Sequence, residues 1–131
     1  MSARLGFFAL AIVTAIAAGR AVSDEMSNKR ILDVGRSNYE LRCATCHGVR
    51  GEGAEGRLPA LAPPLKNNAF VMNAPDFAIA EVIRKGRSGS RRSYDDTYPN
   101  MPAFDAEMVP DVAALIRFLK GDLQQSASDG E

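Results

Sequence analysis

The sequence predicts an all-α fold of three to five short helices. Three observations carry that expectation. Apolar residues recur at three- and four-residue steps in three separate segments, the spacing of one helical face. No convincing β pattern precedes Cys43. The segment from Gly48 to Leu65 holds four Gly and three Pro and reads as loop. At 131 residues there is room for one ordinary domain. A hydrophobic content of 46% suits a globular chain rather than a disordered one. Lys and Arg number 16 and Asp and Glu number 16, so the strongly basic balance of a nucleic-acid binder is absent.

The elements follow in chain order. Met-Ser-Ala-Arg precedes an almost unbroken apolar run from Leu5 to Ala18, and Ala21-Val22-Ser23 supplies small residues after it. This is the pattern of a secretory signal peptide, residues 1–23, with cleavage after Ala18 or Ala21 as alternatives. The rival is an uncleaved membrane anchor, but the run falls short of the roughly 20 apolar residues a spanning helix needs. No stable membrane span is therefore expected after cleavage. No Cys lies near the cleavage site, which argues against a lipoprotein anchor. Removing 1–23 takes away Arg4 and Arg20 and no acids, leaving 16 − 2 = 14 bases against 16 acids, a formal charge of −2. Partners are then selected by local patches rather than by bulk charge.

The mature domain is expected over 24–123. A first helix runs from Ser27 to Cys43, capped by Ser27 or Asn28, with Ile31, Leu32, Gly35, Tyr39 and Arg42 at helical steps. Gly35 costs about 1 kcal/mol in a helix interior against Ala, so it points to a close backbone neighbour. A middle helix is expected from Asp76 to Lys85 after Pro75, with Phe77, Ile79, Ala80, Val82 and Ile83 offering an apolar face that could wall a bound group. A last helix opens at Pro110 and ends at Gly121. Its stripe of Val112, Leu115, Ile116 and Leu119, widened by Phe118, would set Phe118 and Leu115 over Gly35 and Tyr39. Residues 124–131 are polar and expected to form a disordered tail. Such a core is small for its loops, and a large apolar group at its centre would complete it.

One motif names that group. Cys43-Ala44-Thr45-Cys46-His47 is the Cys-x-x-Cys-His signature for covalent attachment of c-type haem. One helical turn between the cysteines matches the two vinyl groups on one porphyrin edge, and the adjacent His is aimed at the iron. His47 is also the single histidine of the chain. A zinc site needs four ligands, more than these three Cys and His residues supply. A thioredoxin-like pair should follow a strand, and none is evident. A disulfide would suit an exported chain but leaves His47 without a role.

The second axial donor must come from elsewhere. Met101 stands between Pro99 and Pro102 in a stiff, loop-like stretch, 101 − 47 = 54 residues beyond His47. The thioether is a weak donor and needs such stiffness. Met72 and Met108 are read as packing residues, the common role of Met.

With these residues in view the chain resembles the class I c-type cytochromes of the small, bacterial, monohaem kind. The resemblance rests on Gly35-x-x-x-Tyr39-x-x-x-Cys43, the haem motif through Gly48, Pro63-Pro64-Leu65, Met101-Pro102 and the Leu115–Leu119 helix. It implies the cytochrome c fold, wrapped around one covalently bound haem c with its iron. It implies that the Pro63 carbonyl accepts a hydrogen bond from the imidazole of His47, and that Leu65 packs on the haem. The segment from Asn67 to Asp76 is more similar to haem subunits of bacterial periplasmic dehydrogenases.

A haem with His47 and Met101 on its two axial positions has no open site, which makes single-electron transfer the expected task, not enzymatic turnover. The expected protein is periplasmic, accepting electrons from a dehydrogenase and passing them to a terminal oxidase or another cytochrome. The alternatives are a dedicated subunit or partner of a sulfite- or alcohol-type dehydrogenase, and, less favoured, a gas-binding sensor haem without Met101 ligation. Arg84, Lys85, Arg87, Arg91 and Arg92, followed by Asp95 and Asp96, form either a solvated loop or a basic docking rim. Tyr94 and Tyr98 are candidates for bonding a propionate, or for packing.

Overall fold

The computed structural model describes residues 4–53, 61–91 and 98–125, with 4–21 and 91 as backbone only. The chain divides into two units, Met1–Ile31 and Leu32–Glu131. Helix α1 (Arg4–Arg42) begins in the first. The cap expected at Ser27 or Asn28 is not used, because the backbone is already helical from Arg4. The chain between them has no Pro and only Gly6 and Gly19 as weak points, each costing about 1 kcal/mol, so nothing forces a helix to start later. Among the described residues no helix is long and apolar enough to cross a membrane.

The second unit is all-α. After the last turns of α1 come α2 (Ala44–His47), α3 (Ala69–Asn73), α4 (Asp76–Lys85), a 3-10 turn (Gly89–Arg91), α5 (Val112–Lys120) and α6 (Asp122–Gln125). Helix α4 has the predicted bounds. Helix α5 starts two residues after Pro110, because Asp111 is its N-cap and accepts from Ala114 N at 2.8 Å. Helix α3 was not predicted. Asn68 caps it, accepting from Phe70 N at 3.0 Å and Val71 N at 3.2 Å, but five residues are too few to show a period.

The expected tail boundary shifts. Gln124 and Gln125 belong to α6, and Gln124 Nε2 donates to Leu119 O at 2.7 Å and Leu65 O at 3.1 Å, while its Oε1 accepts from Asn67 N at 2.8 Å. These bonds hold the turn at Asn67, whose φ of 53° is unusual for a non-glycine. Residues 126–131 lie outside the described part.

The core forms where α1 crosses α5. A Cβ on Gly35 would overlap the carbonyl of Ala114 and come within 2.8 Å of Phe118 Cβ. The predicted neighbour is thus the backbone of α5. Tyr39, fully buried beside it, tilts its ring against Phe118 at 5.5 Å between centroids. Leu115 is in the same core. The Arg36–Asp122 ion pair over this crossing is exposed and contributes about 0–1 kcal/mol.

The Tyr39 hydroxyl donates to Gly48 O at 2.5 Å, tying α1 to the residue that follows the haem motif. Burial, first, and then neighbouring negative groups hold that hydroxyl protonated well above the usual tyrosine range. Tyr39→Phe leaves the Gly48 carbonyl without this donor, so a loss of about 1–3 kcal/mol is expected. Denaturant titration of the holoprotein reads this as a lowered midpoint at unchanged slope.

Candidate cofactor site

Helix α1 ends at Arg42, and Cys43 bends the chain into the single turn of α2. Cys46 N bonds Cys43 O at 3.1 Å and His47 N bonds it at 2.9 Å, so one turn presents both cysteines and the histidine. Both thiols are free and half-buried, which sets the disulfide reading aside. Burial, helped by Cys46 beside it, pushes the Cys43 thiol up to about 11, keeping it protonated at neutral pH.

His47 is buried, and its Nδ1 lies 2.8 Å from Pro63 O. A carbonyl oxygen only accepts, so Nδ1 carries the proton and donates. The Nε2 lone pair is then free to bind a metal. Burial lowers the pKa of His47, with the Pro63 bond opposing that shift, so the neutral ring is favoured. The accepting segment is itself held. Asn68 Nδ2 donates to Pro64 O at 3.0 Å, and Leu65 N and Lys66 N both donate to Gly51 O at 2.9 Å.

Cys43, Cys46 and His47 open onto a cleft with about 1290 Å³ of atom-free space, its open mouth included. The helices contribute Val71, Ile79, Val82, Ile83, Leu115 and Leu119 to its walls, and the loops contribute Pro63, Leu65 and Met101. Cys43, Cys46, His47, Pro63, Leu65 and Met101 therefore line one cleft. Leu61 and Phe70 line it too and keep over a third of their surface open, which a large apolar occupant would cover. Among the described residues no cluster of three or more His, Cys, Asp or Glu could hold a metal by itself. An apolar cleft with two thiols, a neutral imidazole and a thioether fits a covalently attached haem.

Met101 owes its place to the end of α4. Its N–H donates to Arg87 O at 3.0 Å, and Arg87 N donates back to Met101 O at 2.9 Å, a single antiparallel bridge. Gly86 makes room for it. With φ of 65° it stands where side chains are strained, and a Cβ there would overlap Met101 O and meet Pro102 C at 2.7 Å.

One expectation needs correction. Phe77 does not wall the cleft. It is 74% exposed, because α4 turns Ile79 and Ile83 inward and a residue two places away sits on the opposite side. Three members of the basic run make contacts within the chain. Arg84 donates to backbone carbonyls, Lys85 pairs with Glu81 at 2.6 Å, and the Arg87 guanidinium lies 5.0 Å from the Phe70 ring centroid. Arg92, Tyr94, Asp95, Asp96 and the Arg91 side chain lie outside the described part; Tyr98 lines the cleft. Sequence reasoning missed Asn68, Phe70 and Val71 because their short helix lacks periodicity.

A protein-family model described as Cytochrome c matches residues 32–120. No curated protein and no solved structure matches the chain.

Proposed function

Because the chain belongs to the cytochrome c family, and so is an electron-transfer protein with covalently bound haem c, we propose that Cys43 and Cys46 form the thioethers, that His47 and Met101 are the two axial donors, and that the protein is a periplasmic single-electron carrier. The observation that carries this is that His47, with Nε2 free, and Met101 line the same apolar cleft. When bound, the haem supplies a one-electron ferrous–ferric couple.

The residues of this chain do the rest. Pro63 fixes the ring and tautomer of His47 and raises its basicity. Met101 favours the reduced iron and raises the potential. The walls of Ile79, Ile83, Leu115 and Leu119 exclude water, which keeps reorganisation small when one charge moves. With His47 and Met101 as its two ligands, the iron would have no position left for a substrate.

On this reading, residues 1–23 export the chain and are cleaved. The carrier then takes electrons from a periplasmic dehydrogenase and delivers them to a terminal oxidase or another cytochrome. Copurification of the tagged holoprotein at moderate salt separates this from a dedicated dehydrogenase subunit. A free carrier elutes alone, whereas a stoichiometric larger partner overturns that part of the proposal. Carbon monoxide tests the sensor alternative. The ferrous protein is expected to resist it, and rapid binding would contradict Met101 ligation.

A further inference from the structure

Residues 102–111, which lead from Met101 to α5, contain no helix or strand. A thioether is a weak ligand, so whatever holds this stretch decides how firmly Met101 stays at its post. The amides have local acceptors. Phe104 N donates to Ile83 O at 2.9 Å, Glu107 N and Met108 N to Asp105 Oδ1 at 2.9 Å each, and Val109 N to Asp105 O at 3.0 Å. Three of the carbonyls converge on one side chain. Arg84 Nη1 donates to Phe104 O at 3.2 Å and Asp105 O at 2.5 Å, and its Nη2 donates to Val109 O at 2.8 Å.

We propose that Arg84 is the positioning residue for Met101, clamping the chain that follows it through these three carbonyls. The inference rests on Met101 being an iron ligand. Met101 is then fixed from both sides by one helix end: the Arg87 bridge holds its own backbone, and Arg84 holds the stretch beginning three residues later. A planar guanidinium with five donors in a fixed fork can serve three carbonyls at once, whereas a lysine ammonium at the end of a flexible stem is not preorganised to do so. This gives Arg84 a role inside the fold, in place of the docking role its neighbours in sequence suggested.

The test is imidazole binding to the ferric holoprotein, because imidazole must displace Met101 to reach the iron. Arg84→Gln is expected to tighten imidazole binding roughly tenfold, the factor corresponding to one charged hydrogen bond of ordinary strength. Arg84→Lys is expected to tighten it too, and serves if the Gln variant yields no holoprotein. Lys120→Met is the control, since Lys120 donates to Ala74 O at 2.7 Å and to Asp76 at 2.6 Å, away from the 102–111 stretch. It is expected to lower the thermal midpoint yet leave imidazole affinity within about twofold of wild type. Wild-type imidazole affinity in the Arg84 variants would overturn the proposal. A wild-type ferric protein without the near-infrared sulfur-to-iron band would instead overturn Met101 ligation itself.

Discussion

Replacing both Cys43 and Cys46 by Ala, and purifying the chain without haem, is expected to leave the Leu32–Glu131 unit without cooperative folding. The reason lies in the cleft. Leu61, Leu65, Phe70, Val82 and Met101 line the cleft and are not fully buried by the chain itself, so with no occupant part of each faces water. Burying one such side chain completely contributes about 1.5–3 kcal/mol. Leaving about a quarter to a third of that in water at five positions amounts to roughly 2–5 kcal/mol, a large share of the 5–15 kcal/mol that stabilises a whole domain. Local structure cannot compensate. Helices α2 and α6 have four residues each and α3 has five, far below the roughly 12–15 at which isolated helices become even marginal. Guanidinium unfolding followed by far-ultraviolet circular dichroism checks this. A gradual, non-cooperative loss of signal is expected, and a sharp transition near the wild-type midpoint would count against it.

The second large effect is expected at the helix crossing. Gly35→Ala adds a methyl group where the carbonyl of Ala114 already stands, with Phe118 Cβ, one turn along the same helix, 2.8 Å away. Neither obstacle is the loose end of a flexible side chain, so α1 and α5 must separate. Overpacking of this kind costs about 1–3 kcal/mol and occasionally more. The better helix propensity of Ala returns at most about 1 kcal/mol. Separation also disturbs Tyr39, whose ring packs on Phe118 and whose hydroxyl holds Gly48 beside His47. A net loss of about 2 kcal/mol or more in the holoprotein is therefore expected. A thermal melt within a degree or two of wild type would contradict it.

The parts of this fold legible in sequence are those that rest on periodicity or on fixed chemical spacing. Helix α4 is marked by Pro75 before it and by its apolar face, and the crossing at Gly35 follows from a glycine too costly to lack a reason. The haem motif was legible because porphyrin chemistry dictates its spacing. What stayed hidden depends on contacts distant in sequence. Arg84 looked like one of several surface cations, and only the folded chain brings it to Phe104, Asp105 and Val109. Gln124 looked like tail until its amide met Leu65 and Asn67 across the loop. Phe77 sits within an apolar run, but a run of mixed spacing does not say which side of the helix faces inward.

His47 and Met101 as the two axial donors are the central claim, since that pairing makes the bound haem an electron-transfer centre. The near-infrared absorption of the ferric holoprotein tests it most directly. A weak sulfur-to-iron band is expected in the wild-type protein and should vanish in Met101→Leu. A wild-type ferric spectrum without that band, or a band that survives Met101→Leu, would contradict the account.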